Sequence, residues 1–394
     1  MGTEKISFHN IPLIKKTIKD GNEWILNSGI QNKIKLDKNY GGYHAWIDFK
    51  SQKFSYLYSE ITGYLITYNC FIYTLTKNKK NLIAAEIAAN WLIKRAQLSF
   101  GGFRCFELID KNLKILDKSN LTYSFDNGVI LNGLINLYKI TKKKKYLNSA
   151  NKCGDWLIKC KNLKTGKIKP VYDFKKKKFI YNSKSWSMVS GSYHTKISIG
   201  LFNLYSITKQ KKYSNLAKII IKESLKLQKP NGMFPSTKFH LNLHPHCYSA
   251  EGIWVNAKLF EKNSCFNSVK LAVKWALKEK KNKIPPRLFF PKSKKIFYYR
   301  VDAISQLLRL LILLKLDKKI LNHENDIDNL MSIIFTNISK SKKKLFKGAF
   351  FWGYQSSGKK SNSINVWTTI FIIQTLIYIL NFNSKKKINP FHII

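Results

Sequence analysis

Residues 124–146 read SFDNGVILNGLINLYKITKKKKY, and the fold can be predicted from the recurrence of this pattern. A polar turn, Asp126-Asn127-Gly128, leads into an apolar segment of helical period, which ends in a run of lysines. The same pattern returns at residues 61–81 and 193–213, with tyrosine and threonine in register in all three copies. An internal repeat of this length predicts an array of similar units packed side by side.

Each copy predicts a helical hairpin with a buried inner helix, a basic turn and an exposed outer helix. A helix that is apolar all round is buried, whereas an amphipathic helix keeps one face in water. Inner helices are predicted at residues 61–76, 127–141, 194–208, 248–260, 303–316 and 366–380. Outer helices are predicted at residues 82–98, 147–160, 214–228, 266–278 and 327–338, with residues 12–30 as the sixth.

The helix at residues 12–30 would pair with residues 366–380 and close six hairpins into a ring. The sequence thus predicts an all-α protein, a single (α/α)6 toroid domain over residues 1–394. Short β-hairpins are expected in the loops that follow outer helices, where glycine and phenylalanine recur, as at residues 100–103. Gly128 and Gly133 interrupt an apolar helix, so we expect another backbone or a ligand to approach them closely.

The chain carries a formal net charge of +48, which has two interpretations. A polyanionic partner such as nucleic acid, an anionic membrane or an acidic glycan is one of them. A general preference for lysine is the other, since only five arginines accompany sixty-five lysines and the lysines cluster in turns. Because no nucleic-acid-binding module is recognisable, we favour the second interpretation and expect no specific nucleic-acid partner.

The six cysteines form no C-x-x-C pair, and most of them fall at apolar helical positions. Free buried thiols are the common state of such residues, which favours a reducing compartment, so we expect a cytoplasmic location. The first sixteen residues contain no apolar core of a signal peptide. We expect no membrane span either, since residues 364–380 are interrupted by Asn365, Thr368, Thr369 and Gln374.

The repeat at residues 123–147, Y-x-x-D-N-G-x-x-L-x-G-L-x-x-L-Y-x-x-T-x-x-x-x-Y-L, resembles the six-hairpin glycosidase superfamily. Asp126-Asn127-Gly128 together with Leu137-Tyr138 resembles the motif of unsaturated uronyl hydrolases and their relatives. The resemblance implies an (α/α)6 toroid with its ligand site at one mouth, where the inner helices begin. The superfamily includes hydrolases, and related toroids include lyases, epimerases and non-catalytic members, so the fold does not fix the reaction.

Polar residues cluster near the predicted starts of the inner helices and are therefore candidates for a site at that mouth. Capping of helix N-termini is the competing interpretation, and we favour it for Glu60. We predict catalytic roles for Asp126, His194, His246, Glu251 and Asp302, and substrate-binding roles for Tyr193, His244, Tyr248, Arg300 and Trp367.

The residue types at this mouth suit several reactions. Glycoside hydrolysis needs two carboxyl groups, which Asp126 with Glu251 or Asp302 could provide. A uronate lyase or epimerase would instead use Tyr193 or a histidine as base and Arg300 on the sugar carboxylate. His244, His246, Glu251 and Asp302 have the ligand types of a transition-metal site. No second ligand pair has matching spacing, however, so we expect neither a metal nor another cofactor.

The sequence therefore predicts a carbohydrate-active enzyme, glycoside hydrolase-like, which uses acid–base chemistry on an acidic sugar or oligosaccharide in polysaccharide metabolism. Lyase or epimerase activity and a non-catalytic, glycan-binding toroid remain the alternatives. A terpenoid- or lipid-modifying toroid is disfavoured, because the chain lacks an Asp-rich motif. The oligomeric state does not follow from the sequence.

The interpretation of the charge can be tested with DNA. Because counterion release drives non-specific binding, affinity for duplex DNA should be weak and should fall by about a thousandfold or more between 50 and 200 mM salt. Fluorescence anisotropy with two unrelated duplexes measures this. Tight binding of one duplex that persists at the higher salt would contradict the interpretation.

Overall fold

Twelve α-helices follow one another along the described residues of the computed structural model, which are 7–107, 119–290, 294–320, 322–383 and 387–394. They are α1 (Ile11–Asn27), α2 (Ser59–Thr76), α3 (Lys79–Trp91), α4 (Ser124–Thr141), α5 (Lys144–Lys159), α6 (Thr195–Thr208), α7 (Lys211–Leu225), α8 (Leu243–Phe260), α9 (Asn263–Lys278), α10 (Val301–Leu316), α11 (Glu324–Phe335) and α12 (Val366–Leu380). The rest of residues 1–394 lies outside the described residues.

The even-numbered helices form an inner ring, in which each helix contacts the next and α12 contacts α2. The odd-numbered helices surround this ring, and each forms a hairpin with an inner helix; α1 packs on α12. Inner helices are buried along nearly their whole length because they are apolar on every side. The predicted all-α (α/α)6 toroid is confirmed.

One predicted boundary was wrong in a way that affects the site. Helix α8 begins at Leu243, well before the predicted residue 248. The side chain of Asn242 accepts a hydrogen bond from the backbone N–H of His244 and caps the helix. Pro245 fits in this first turn because a helix needs no N–H donor there.

Glycines in the inner helices let neighbouring backbones touch. A Cβ atom added to Gly128 would lie 2.7 Å from the Cα of Ile197, and one added to Gly200 would lie 2.5 Å from the carbonyl oxygen of Gly128. Distances below 3.0 Å do not occur for real side chains, so a larger residue would force α4 and α6 apart. The close neighbour expected from the sequence is thus another backbone.

The threonines that repeat in register stabilise the turn between inner and outer helices. The hydroxyl groups of Thr76, Thr141 and Thr208 each donate to a carbonyl one turn earlier in their own helix. Each also accepts a hydrogen bond from the backbone N–H two residues later. The residue after each threonine is a lysine in the left-handed conformation, which ends the helix and reverses the chain.

Short strands lie mainly next to the starts of the inner helices. They are β1 (Trp46–Asp48), β2 (Leu57–Tyr58), β3 (Phe106–Glu107), β4 (Leu121–Tyr123), β5 (Val171–Asp173), β6 (Lys178–Ile180), β7 (Leu241–Asn242), β8 (Leu288–Phe289), β9 (Lys295–Ile296) and β10 (Ser363–Asn365). All pairs are antiparallel, with β1 on β10, β2 on β3, and two three-stranded sheets in the orders β4-β5-β6 and β7-β8-β9. These small sheets form the rim of one mouth.

The Gly–aromatic loops dock on outer helices, and several of them are closed by one antiparallel β-bridge, as between Gln97 and Phe103. Gly101 has φ +101°, and the Nε2 group of Gln97 donates both to its carbonyl and to that of Ser149 in α5. Gln31 and Gln228 make the same pair of hydrogen bonds in their own loops. The loop is thereby fixed on the outer helix of the next hairpin.

A second recurring hydrogen bond fixes each loop to an inner helix. The fourth residue of α4, Asn127, accepts from the backbone N–H of Phe103 at 2.7 Å. The fourth residues of α2, α8 and α12, which are Thr62, His246 and Thr369, accept from the N–H groups of Tyr43, Phe234 and Phe350. We call these contacts the fourth-residue hydrogen bonds. They set these inner helices at a common level.

Residues 389–394 close the far end of the ring. The carbonyl of Phe391 accepts hydrogen bonds from the side chains of Asn132 and Asn136 on α4. The side chain of Gln374 on α12 donates to the carbonyl of His392 and accepts from the N–H of Ile394, and Ile394 is fully buried. The far end is therefore filled by protein.

None of the described helices is both long enough and apolar enough to cross a bilayer. All six cysteines are buried free thiols.

The docked loops lead to a prediction about stability. A Cβ at Gly101 would lie 2.3 Å from the carbonyl oxygen of Lys152, whereas one at Gly166 would meet its nearest neighbour at 3.4 Å. Both glycines have positive φ, so both alanine variants cost about 1 kcal/mol of backbone strain. Gly101→Ala should lower the free energy of unfolding, measured in urea, by about 1 to 3 kcal/mol more than Gly166→Ala, because it also overpacks the contact with Lys152. Equal losses of unfolding free energy in the two variants would contradict the close contact of Gly101 with α5.

Candidate functional site

The second residue of an inner helix points to the mouth in several repeats. Glu60, Phe125, His244 and Trp367 occupy this position in α2, α4, α8 and α12, and all four line one cavity. Asp302 has the same position in α10 but lies just behind the cavity wall. The fourth-residue hydrogen bonds explain this convergence, because they hold most of these helices at one level.

The cavity has a volume of about 220 Å³ and contains both carboxyl groups and aromatic rings. Its polar lining comes from Glu60, Asp126, His244, Arg300 and Ser187. Its aromatic lining comes from Tyr56, Tyr58, Phe106, Tyr123, Phe125, Trp186 and Trp367. Aromatic walls with a few convergent polar groups are typical of sites for small organic ligands.

Two tryptophans stand at this cavity in fixed orientations. Trp186 lies edge-on to the ring of His244 at 5.9 Å, and Trp367 lies edge-on to Tyr58 at 5.8 Å. The amphipathic face of a tryptophan can bury the apolar side of a ring while its N–H contacts a polar group. Trp254 and Trp352 lie elsewhere: the first binds Asp317, and the second stacks on Arg287 and Arg300.

Glu60 is the carboxyl group whose environment most favours proton transfer. Burial raises its pKa to about 7, although hydrogen bonds from Tyr58 and Trp367 and the charge of Arg300 act in the opposite direction. A carboxyl group with this pKa holds or releases a proton near neutral pH, as acid–base catalysis requires. Sequence reasoning assigned Glu60 to helix capping. Its position as second residue of α2, in register with His244, was the signal that could have identified it.

Asp126, the first predicted catalytic residue, lies in the cavity wall and is almost fully buried. It is the third residue of α4, next to Asn127, whose side chain is committed to the fourth-residue hydrogen bond with Phe103. The repeat motif thus combines two roles. Asn127 anchors a loop, and Asp126 contributes a carboxyl group to the cavity.

Arg300 and Asp302 form a bidentate ion pair at the edge of the cavity. Arg300 donates from Nε to Oδ1 at 3.1 Å and from Nη2 to Oδ2 at 2.5 Å. Burial would raise the pKa of Asp302, but Arg300, nearby His244 and a hydrogen bond from the Ala303 N–H lower it below its ordinary value. Asp302 is fully buried and holds Arg300 in place, and only Arg300 of this pair reaches the cavity.

Glu251 lies below the cavity, in the centre of the ring. It is the ninth residue of α8, so the early start of this helix places it two turns from the mouth. Its carboxylate accepts hydrogen bonds from Lys196 at 2.6 Å, Arg309 at 2.5 Å and Gln306 at 3.3 Å. Burial alone would raise its pKa, but the two cations lower it. The structure does not bring Glu251 to the cavity with Asp126.

His246 and His194 have structural hydrogen bonds and do not line this cavity. His246 accepts the Phe234 N–H at Nδ1 and contacts the Ala272 carbonyl at Nε2, 3.1 Å away. His194 accepts the Gly191 N–H at Nδ1 and lies 3.5 Å from the hydroxyl of Ser124. Burial lowers the pKa of His246 to about 4 and that of His194 to about 3, so both are neutral. His246 occupies the position of Asn127 and anchors a loop in the same way.

Tyr193 and Tyr248 support the cavity wall from behind. Tyr193 donates its hydroxyl to the Val189 carbonyl at 2.8 Å and packs edge-on against Trp186. Tyr248 is fully buried and packs against Phe125 and His244. Neither ring borders the cavity itself.

Comparisons with known proteins agree with the predicted resemblance. A sequence profile of glycosyl hydrolase family 76 matches residues 122–275, which is less than half of the chain and includes the repeat with Asp126. No curated protein sequence matches the chain.

Solved structures match over nearly the whole chain. Cellobiose 2-epimerase from Bacillus thermoamylovorans is 12% identical, with 93% of this chain and 99% of that chain covered and a TM-score of 0.74. A D-mannose isomerase is 13% identical, with 96% and 100% covered and a TM-score of 0.73. An unsaturated glucuronyl hydrolase from a Bacillus species is 11% identical, with 94% and 98% covered and a TM-score of 0.64.

At these identities the solved structures establish the fold, and the profile match adds a link to glycoside hydrolases. Both findings agree with the prediction of a carbohydrate-active, glycoside hydrolase-like enzyme. The chain has the six-hairpin glycosidase fold that its repeat resembles.

Proposed function

We propose that the protein is a carbohydrate-active enzyme, glycoside hydrolase-like, with Glu60 as proton donor and Asp126 as second carboxyl group. The observation that supports this best is the buried carboxyl group of Glu60, with a pKa of about 7, in one aromatic cavity with Asp126. The cavity lies at the mouth where the resemblance implies a ligand site. Asp126 belongs to the segment that matches the glycosyl hydrolase profile.

In the proposed reaction, Glu60 protonates the oxygen that leaves the anomeric carbon. The glycosidic bond breaks, and the positive charge that develops on the sugar ring is stabilised by Asp126. Water supplies the hydroxyl group at the anomeric carbon, either directly or after a covalent intermediate on Asp126, and its second proton returns to a carboxylate of the pair. Trp186 and Trp367 hold the sugar against the two carboxyl groups.

We propose a neutral sugar as the preferred substrate, in place of the acidic sugar expected from the sequence. Among the described residues, no lysine lines the cavity, and the one cationic side chain in this described lining, Arg300, is bound by Asp302 through two hydrogen bonds. Glu60 and Asp126 add further acidic groups to the lining. A uronate would therefore enter a site without surplus positive charge, and its desolvation would be poorly compensated.

An epimerase is the second candidate, because a carboxyl group with a pKa near 7 can also remove a proton from carbon. A uronate lyase fits less well, since Arg300 is already paired. A non-catalytic glycan-binding protein would use the same aromatic walls without needing the raised pKa of Glu60. Products distinguish these cases: hydrolysis releases a new reducing end without a new double bond, a lyase leaves an unsaturated uronate, and epimerisation in D₂O leaves deuterium on the sugar.

We also propose a cytoplasmic location. The cysteines support this location, because six buried thiols without a disulfide suit a reducing compartment.

The proposed activity is tested by incubation with cellobiose, D-mannose and an unsaturated glucuronyl oligosaccharide, followed by product analysis. Turnover of a neutral sugar is expected, and Glu60→Gln and Asp126→Asn should each lower kcat by about a hundredfold to ten-thousandfold. Asp155→Asn, on the outer helix α5, is the matched control and should retain full activity. Unchanged kcat in both cavity variants would overturn the assignment of the two carboxyl groups.

Glu60 also predicts how stability depends on pH. The folded protein keeps the proton on Glu60 up to about pH 7, whereas the unfolded chain loses it near pH 4.5. Stability should therefore fall as pH rises through this window, by about 3 kcal/mol from this group alone. Glu60→Gln removes this loss, so its urea unfolding free energy should exceed that of the wild type most at pH 8 and least at pH 4.

Glu261→Gln, which changes an exposed carboxyl group just after α8, is the control for the substitution itself. Parallel pH profiles for Glu60→Gln and the wild type would show that Glu60 titrates normally, which would remove the main support for its role as acid.

A further inference from the structure

A chain of hydrogen bonds runs from the centre of the ring to the cavity. Arg309 donates to Oε1 of Glu251 at 2.5 Å, and Nε2 of Gln306 donates to the same oxygen at 3.3 Å. Oε1 of Gln306 then lies 2.6 Å from Nδ1 of His244, which lines the cavity. The proposed mechanism leaves Gln306 and Glu251 without a role.

The donor and acceptor roles in this series of hydrogen bonds fix the position of a proton. The Glu251 carboxylate can only accept a hydrogen bond, so the amide nitrogen of Gln306 must face it and the amide oxygen must face His244. An oxygen acceptor at 2.6 Å requires that Nδ1 of His244 carries the hydrogen. Nε2 then has a free lone pair, and it makes no hydrogen bond with any described residue.

Burial keeps the ring of His244 neutral although several neighbouring groups act in the opposite direction. Burial is the largest effect that lowers its pKa, to about 3, and the charge of Arg300 acts in the same direction. Asp302, whose Oδ2 lies 3.9 Å from Nδ1, and Glu251 oppose this lowering, but each is bound by cations. The other ring against it on its own helix, Tyr248, is uncharged because burial raises the pKa of its hydroxyl. The hydrogen bond to the Gln306 oxygen also opposes the lowering, but this partner is a neutral amide and gives an imidazolium no counter-charge.

We propose that Gln306 is a positioning residue that holds His244 as the neutral Nδ1–H tautomer, so that Nε2 accepts a hydrogen bond from a hydroxyl group of the sugar. A fixed acceptor selects a ligand with a donor at that position, because a ligand without one would leave the buried lone pair unpaired. That the ligand is a sugar rests on the proposed function. The tautomer, however, is a property of the free protein and can be measured without any substrate.

The direct measurement is ¹⁵N NMR of the ring nitrogens in histidine-labelled protein without ligand. The signals of His244 are assigned by their loss in His244→Asn. Between pH 5 and 8, Nδ1 should show the shift of a protonated nitrogen and Nε2 that of an unprotonated one, with no titration. A proton on Nε2, or titration near the ordinary histidine pKa, would overturn the proposal whatever the activity assays show.

Two variants separate positioning from packing. Gln306→Met keeps the length of the side chain but removes the acceptor, so the Nε2–H tautomer should become populated. Gln374→Met is the matched control, because Gln374 is equally buried on the next inner helix and accepts a hydrogen bond from Arg309, a partner of Glu251, but does not contact His244. It should leave the tautomer unchanged.

The functional consequence is read from the same variants. For the neutral sugar that is turned over, Gln306→Met should raise KM about tenfold with little change in kcat, since it disturbs binding and not proton donation by Glu60. Gln374→Met should leave KM unchanged. An unaltered tautomer in Gln306→Met, or the same KM shift in both variants, would show that Gln306 only fills space.

Discussion

The fourth-residue hydrogen bonds determine where four of the inner helices begin. Each joins a side chain in the first turn of an inner helix to the N–H of an aromatic residue in the preceding loop. In three of the four cases the loop is itself held on an outer helix by a glutamine that donates to a glycine carbonyl of the loop and to a carbonyl of the helix, as Gln97 does. One linkage thus fixes the level of the inner helix and the spacing between hairpins. Because the helices start together, their second residues converge, and a cavity forms.

The repeat in the sequence was sufficient to predict the ring, but it did not locate the site to within one helical turn. Periodicity reports which face is buried, and it reports this equally well at every turn. The start of α8 depended on Asn242 as a cap and on Pro245 in the first turn, and a His-Pro-His segment reads as a loop in the sequence. Glu251 was therefore predicted at the mouth, although it lies two turns below.

The role of Glu60 was missed for a different reason, although its position at the helix start was predicted. An acidic residue in the first turn of a helix satisfies the helix dipole equally well whether it faces water or an aromatic cavity. Glu60 is distinguished by its burial and by the hydrogen bonds that it accepts from Tyr58, just before α2, and from Trp367, in α12. The sequence does not show which side chains surround it. His246 differs again. It anchors a loop where another repeat has an asparagine, and a histidine is also the residue type expected of a catalytic group. Register within the repeat separates these cases, because His246 aligns with Asn127.

The closed far end of the ring has a consequence for turnover. Within the described part of the chain, residues 389–394 and the side chains of Glu251, Lys196 and Arg309 fill the interior behind the cavity. A sugar chain therefore cannot thread through the ring. Substrate and product must use the same opening, so each product has to depart before the next substrate enters, and retained product competes directly with substrate.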